Sequence, residues 1–229
     1  MLNKIDRNKI KVAEEAVRYI KNGMTVGLGS GSTIDWMLKK LGESVNEGLD
    51  IKGIPTSYKT EKLAREYGIP LTDFSNVIEI DLAIDGADEI DEQLNLLKGG
   101  GGSLVREKIV DSVAKELIII ADESKLVPAL GDFLLPVEVV QFGWELTAHH
   151  ISQLNCVPYL RKKDNNEIFI TDNDNYILDC SFEKIPQPTR LHEKLKLMTG
   201  VVETGLFVGM VDRVIIGSDY GIRTHVNEF

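Results

Sequence analysis

The first 125 residues alternate uninterrupted apolar runs with amphipathic stretches, and that alternation limits the folds open to the chain. The runs are Thr25–Leu28, IKGI, DLAI and LIIIA. LIIIA has no polar residue in any position, as a strand buried on both faces requires. Between the runs lie helical patterns. Ile10, Ala13, Ala16, Val17 and Ile20 share one face, with Asp6 to cap that helix and Gly23 to stop it. Trp36, Met37, Leu38 and Leu41 are buried candidates on a second helix. KTEKLAREYG reads as a third, ending at its glycine, and a fourth follows KGGGGS and runs to about Ala114. Strand–helix alternation of this kind predicts a parallel sheet covered on both faces.

The pattern changes after about Leu130. LLPVEVV reads as a strand and 144–154 as an amphipathic helix. VPYLRKK, EIFITD and YILDCSF read as strands with DNDN turning between the last two, and 189–198 as a helix. GLFVG and DRVIIGS are again apolar and are expected to rejoin the first sheet. The predicted class is α/β: a Rossmann-like parallel-sheet core over 1–130 and 205–229, with a second, smaller α+β domain over 131–204 that could carry an oligomer contact.

Composition narrows the partners. The 229 residues carry 26 Lys+Arg against 36 Asp+Glu, a formal charge of −10. Such a chain repels nucleic acid and anionic membranes, and an anionic ligand would need concentrated local donors. Apolar residues at 43% are enough for a sizeable core. No apolar run approaches the roughly 18 residues of a membrane helix. MLNKIDRNKIK lacks the apolar stretch of a signal peptide. Cys156 and Cys180 fit no metal or redox spacing. One disulfide is conceivable, but two reduced, packed thiols are expected, and the chain reads as cytoplasmic.

Three glycine or acidic motifs carry the chemistry. Gly27-Leu28-Gly29-Ser30-Gly31-Ser32-Thr33 joins a predicted strand to a predicted helix. Glycines there let backbone approach a ligand, and helix N–H groups with Ser30, Ser32 and Thr33 hydroxyls can meet an anion. It is neither the dinucleotide fingerprint, whose third glycine is replaced by Ser32, nor a P-loop, which needs a lysine before the hydroxyl residue. A tight turn with a Ser/Thr cap would read the same.

Asp85-Gly86-Ala87-Asp88-Glu89 follows an apolar run, at the strand end where open α/β sheets bind ligands. Asp85 and Asp88 could act as acid, base or metal ligand, or form a solvated turn. Lys98-Gly99-Gly100-Gly101-Gly102-Ser103 precedes a helix. Four glycines lose much conformational entropy on folding. Between an apolar segment and a helix, backbone lying close to a ligand explains them better than a linker, with Lys98 delivering charge. Glu107 falls about one turn into that helix, either facing the same cleft or exposed.

GLGSGST, DGADEI and KGGGGSLVREK, in this order and spacing, resemble the ribose-5-phosphate isomerases of the A type. ADESK, LPVEV, TDNDNYILD and GVVETGLF extend the resemblance over nearly the whole chain. The resemblance implies interconversion of D-ribose 5-phosphate and D-ribulose 5-phosphate, in the non-oxidative branch of the pentose phosphate pathway, with no cofactor. It implies a small-molecule sugar phosphate as the only partner besides further copies of the chain, in a homodimer or higher homo-oligomer. Carried over by position, Glu107, Asp85, Asp88 and Lys98 are catalytic. Ser30, Gly31, Ser32, Thr33, Gly99 and Gly100 bind substrate, and Lys125 and Lys9 complete the anion site.

The residues fit one of the two routes of aldose–ketose isomerisation. A metal-assisted hydride shift needs clustered ligands, yet His149, His150, His192 and His225 all lie outside the motifs. Proton transfer through an enediolate needs a carboxylate base, oxyanion donors and hydroxyl-proton shuttles. Glu107 is then the base, Lys98 and loop N–H groups the oxyanion donors. Asp85 assists ring opening and Asp88 handles hydroxyl protons. A sugar-phosphate sensor without turnover is the alternative, but only one helix fits before Gly27, which leaves no room for a helix-turn-helix. A relative of acyl-CoA transferases would need a glutamate nucleophile and a CoA site.

Overall fold

The structure is a computed structural model and describes residues 4–227. The chain divides into two compact units. The first takes residues 4–87, Arg106–Lys125 and 210–227; the second takes Asp88–Val105 and Leu126–Gly209.

In the first unit the strands are β1 (Thr25–Leu28), β2 (Lys52–Pro55), β3 (Leu82–Asp85), β6 (Leu117–Asp122), β12 (Arg213–Ser218) and β13 (Gly221–Val226). They form one sheet in the order β13-β12-β6-β3-β1-β2, parallel except for the β12–β13 hairpin. The helices are α1 (Lys4–Val17), α2 (Ser32–Asn46), α3 (Tyr58–Glu66) and α4 (Leu104–Ser112), whose first two residues belong to the second unit. All six residues of β6 are buried, as expected of a strand covered on both faces. Val26, Leu28, Ile84, Ile118 and Ile120 pack against Val12 and Ala16 of α1 and Met37, Leu38 and Leu41 of α2. Each of these Val, Leu, Ile and Met side chains contributes on the order of 1.5–3 kcal/mol by leaving water. On the opposite face Val110 of α4 packs with Ile54 and Ile80. Gly27 admits it: a Cβ there would sit 2.6 Å from Val110 Cγ1.

The second unit holds a four-stranded antiparallel sheet in the order β10-β7-β9-β8. Its strands are β7 (Leu135–Val139), β8 (Val157–Leu160), β9 (Tyr176–Ser181) and β10 (Val201–Thr204). A smaller antiparallel sheet runs β11 (Leu206–Phe207), β5 (Leu96–Leu97), β4 (Glu89–Ile90). Helices α5 (Trp144–Ser152) and α6 (Pro188–Lys196) supply Ile151 and Leu195 to a core with Val137, Val139, Leu178 and Cys180. Residues 88–105, assigned to the core domain from the sequence, go with this unit because β4 and β5 pair with β11.

Several expectations need correction. Asp6 lies inside the first turn of α1, where a carboxylate suits the helix dipole, and does not precede the helix as a cap. Trp36 is only half-buried. Of the two late apolar runs only DRVIIGS rejoins the first sheet, as β12; GLFVG becomes β11 against β5. EIFITD is no strand beyond a single bridge between Lys162 and Ile168. The chain there wraps a buried carboxylate instead. Glu138 Oε1 accepts from Thr171 Oγ1 at 3.0 Å, Asn175 Nδ2 at 2.9 Å and Asn173 Nδ2 at 3.3 Å, so residues 171–175 curl around it. The hairpin strand β13 is exposed along most of its length, and its short alternation of Ile222, Thr224 and Val226 with Arg223 and His225 buries no face.

The two cysteines are free and buried. Far apart in sequence, they approach each other where β8 pairs with β9, and the neighbouring Cys156 thiol together with burial pushes the Cys180 thiol well up.

Candidate active site

In the first unit β1 delivers the glycine turn to the carboxyl edge of the parallel sheet, and α2 starts directly after it. Gly31 is the N-cap of α2 and offers no side chain, so Ser32 and Thr33 fall in the first turn, the end that favours anions. The Lys9 ammonium of α1 donates to Ser32 Oγ at 2.8 Å.

Asp85 closes β3 beside this turn and is fully buried. Its Oδ1 accepts from the N–H of Ser30 at 3.0 Å and of Gly86 at 2.7 Å. Gly29 makes the approach possible, since any Cβ there would overlap the Asp85 carboxyl group and Cα. The Ser30 hydroxyl points into a relay. It donates to Ser57 Oγ (2.8 Å), Ser57 donates to Thr60 Oγ1 (3.0 Å), and Thr60 donates to the Gly29 carbonyl (2.9 Å). Thr56 Oγ1 adds a fourth hydroxyl, 2.8 Å from Ser30 Oγ. The turn is therefore braced by Thr56, which follows β2, by the N-cap of α3 and by the first turn of α3.

Glu107 lies in the first turn of α4 and is only 4% exposed, so it is no solvated helix carboxylate. Asp111, one turn on, is equally buried and marks the same helix face. Lys125 ends the short 3₁₀ turn Glu123–Lys125 that follows β6. Among the described residues it makes no hydrogen bond to the 30–33 turn, so the structure brings Lys9, but not Lys125, into bonding contact with it.

In the second unit Lys98 follows β5 and is 2% exposed. A buried ammonium needs compensation. The face of the Phe207 ring contributes, 5.2 Å from Nζ to its centroid. The Lys98 N–H is fixed by the Gly205 carbonyl at 2.8 Å. Asp88 is tied by its own N–H to the Leu97 carbonyl at 2.9 Å, and its Oδ2 accepts from the Gly100 N–H at 2.8 Å. Gly99 (φ 99°) and Gly102 (φ 85°) adopt left-handed backbone that side chains disfavour. Arg161 of the same unit donates to the carbonyls of Gly99 and Gly100.

The chain's relatives agree on one family. The profile described as ribose 5-phosphate isomerase A (phosphoriboisomerase A) matches residues 52–221. Ribose-5-phosphate isomerase A 1 of Oceanobacillus iheyensis is 54% identical over 217 residues, 94% of this chain and 96% of that one. The chain belongs to the ribose 5-phosphate isomerase A family. Solved structures of ribose 5-phosphate isomerases superpose over nearly its whole length. The Plasmodium falciparum enzyme gives a TM-score of 0.95 at 42% identity, covering 98% of this chain and 100% of that one. A D-ribose-5-phosphate isomerase in complex with phospho-erythronic acid also gives 0.95, at 38% identity over 99% and 100%.

Against this family background, the residues that sequence reasoning missed are supports. Thr56, Ser57 and Thr60 brace the glycine turn, and the hydroxyl-rich TSYKT after β2 was the available signal. Asp111 was signalled only by its four-residue spacing from Glu107. Arg161 and Asp179 carry no local signal at all, because Arg161 reaches the glycine run from just beyond β8 and Asp179 of β9 meets it through Arg161. Among the described residues no three His, Cys, Asp or Glu side chains cluster to hold a metal ion, and no helix is long and apolar enough to cross a membrane.

Proposed function

We propose that this chain interconverts D-ribose 5-phosphate and D-ribulose 5-phosphate by proton transfer through an enediolate, without a metal. The relative that is 54% identical over 94% of the chain, itself a ribose-5-phosphate isomerase A, carries the reading of the substrate. It also favours turnover over the sensor alternative. The burial of Glu107 supports its reading as the base of the proton-transfer route, because it is held out of bulk water as a solvated helix carboxylate would not be.

In the proposed reaction the turn at 30–33, with Lys9 and Lys125, holds the phosphate. Asp85 assists opening of the furanose. Glu107 removes the proton from C2 of the open-chain aldose, and the electron pair moves through C2–C1 to give the enediolate. Lys98 and N–H groups of the 99–102 loop stabilise the oxygen that gains charge. Asp88 passes the proton from the C2 hydroxyl to O1. Glu107 then returns its proton to C1, leaving the ketose. Phospho-erythronic acid, held by a structural relative, is a phosphorylated sugar acid and should compete with substrate here.

The chain is proposed to work in the cytoplasm as a homodimer or higher homo-oligomer, with no nucleic-acid partner. The charge of −10 argues against nucleic acid.

The test is a coupled assay for ribulose 5-phosphate formation from ribose 5-phosphate after exhaustive chelation. Full activity is expected. No turnover with or without divalent ions would remove the isomerase reading, and activity restored only by such an ion would remove the metal-free route.

A further inference from the structure

The run Gly99–Gly102 is the most pliable backbone near any proposed catalytic group, yet its peptide planes are held from one side. Arg161 does this. Its Nη1 donates to the Gly99 carbonyl at 2.9 Å and to the Gly100 carbonyl at 3.1 Å. Its Nε and Nη2 donate to the two oxygens of Asp179 at 2.8 and 2.5 Å. The guanidinium also stacks 5.7 Å over the Phe169 ring, against which Gly102 lies too closely to carry a Cβ. The Arg161 and Asp179 side chains are 12% and 15% exposed, so this pair is shielded from water.

A trans peptide points its N–H opposite to its C=O. Holding the Gly99 carbonyl therefore aims the Gly100 N–H the other way, and there it meets Asp88 Oδ2 at 2.8 Å. Holding the Gly100 carbonyl aims the Gly101 N–H away from Arg161 in the same manner. A planar fork can grip two carbonyls and a carboxylate at once; a lysine ammonium cannot match that geometry.

We infer that Arg161, oriented by Asp179, is a positioning residue of the isomerase: it fixes the glycine-loop peptides and, through the Gly100 N–H, the carboxylate of Asp88. This rests on the proposed role of Asp88 and the loop. Arg161 touches no reacting atom in this reading and acts only through the loop.

The experiment compares wild type with Arg161→Lys and with the double variant Arg161→Met/Asp179→Leu, which removes both charges and so leaves no buried ion unpaired. Melting temperature, folded fraction, kcat and KM are measured for each, with hydrogen exchange at the Gly100 amide by NMR. Loss of positioning by about 1 Å can cost on the order of 10²-fold. The double variant is expected to lose about 10²-fold in kcat and Arg161→Lys about tenfold, KM changing less than about threefold, because the phosphate turn is untouched. Gly100 exchange should quicken in both.

A folded double variant with kcat within about twofold of wild type overturns the inference, as does activity lost only in proportion to the folded fraction. If the double variant does not fold, Arg161→Lys decides alone: unchanged kcat and unchanged Gly100 exchange overturn it. If wild type itself fails to isomerise ribose 5-phosphate, the function reading falls separately, and Gly100 exchange in the variants still decides whether Arg161 holds the loop.

Discussion

The Lys9 ammonium and the Ser32 hydroxyl, 23 positions apart in the chain, meet at 2.8 Å where α1 passes the amino end of α2. A cation is thereby added to a helix end that already favours anions. Lys11, two residues on, is exposed and makes no such contact among the described residues. Lys9→Ala should raise KM for ribose 5-phosphate by about tenfold, the equivalent of one charge-assisted bond, with a smaller effect on kcat. Lys11→Ala should leave both near wild type. Steady-state kinetics of the two variants side by side check this, and equal behaviour would remove Lys9 from the anion site.

Glu107→Gln keeps size and hydrogen-bonding capacity but cannot accept a proton. Loss of a general base costs about 10²–10⁴-fold, so kcat should fall by that order while KM moves little. In wild type some solvent deuterium should enter the sugar carbon during turnover, read by mass spectrometry. A near-normal kcat in Glu107→Gln would transfer the search for the base to Asp85 and Asp88.

Gly101 separates a structural glycine from a substrate-facing one. Its φ is not in the left-handed region, and a Cβ there would meet nothing within 4 Å. Gly101→Ala should leave the melting temperature unchanged or slightly higher, since alanine reduces the freedom of the unfolded chain. If substrate lies against this loop, the same methyl group should reduce kcat/KM by about tenfold or more, since a small misplacement of substrate is costly. Calorimetry and kinetics on one sample test both halves, and unaltered kinetics would remove substrate from this stretch of backbone.

Asp81 gives the pH dependence a definite sign. The Thr25 N–H, 2.9 Å away, and the Lys115 ammonium, at 3.1 Å, hold its carboxyl below the usual carboxylate value. A folded-state value below the unfolded one stabilises the protein above the unfolded pKa of about 3.9 and loses that contribution as pH falls through the folded value. Asp81→Asn should therefore melt lower than wild type at pH 7, and the gap should narrow as pH falls below about 4. A gap that is constant with pH would show that charge at this position contributes nothing.

How much was legible in the sequence follows from the range of each signal. The strand LIIIA and the amphipathic helices were readable because side-chain periodicity is local, and burial on both faces leaves an apolar run with no gaps. The motifs around Ser30, Asp85, Lys98 and Glu107 stood out because each is a contiguous segment, although each alone would also read as a capped turn or solvated carboxylates, and their order and spacing together carried the resemblance. The same local reading failed at EIFITD, where strand-like residues obey the buried Glu138 of another strand. It failed too at GLFVG, whose two paired residues could join either sheet until β5 claimed them.

The sequence by itself thus determined the fold class, the family and the candidate residues. Only the tertiary structure decided which groups brace which. The contacts of Lys9 with Ser32, of Thr60 with the Gly29 carbonyl, and of Arg161 with Gly99 and Gly100 join positions 23, 31 and about 60 residues apart. No local pattern encodes such a pair, because hydrogen bonds depend on distances of about 3 Å that exist only once the elements have packed.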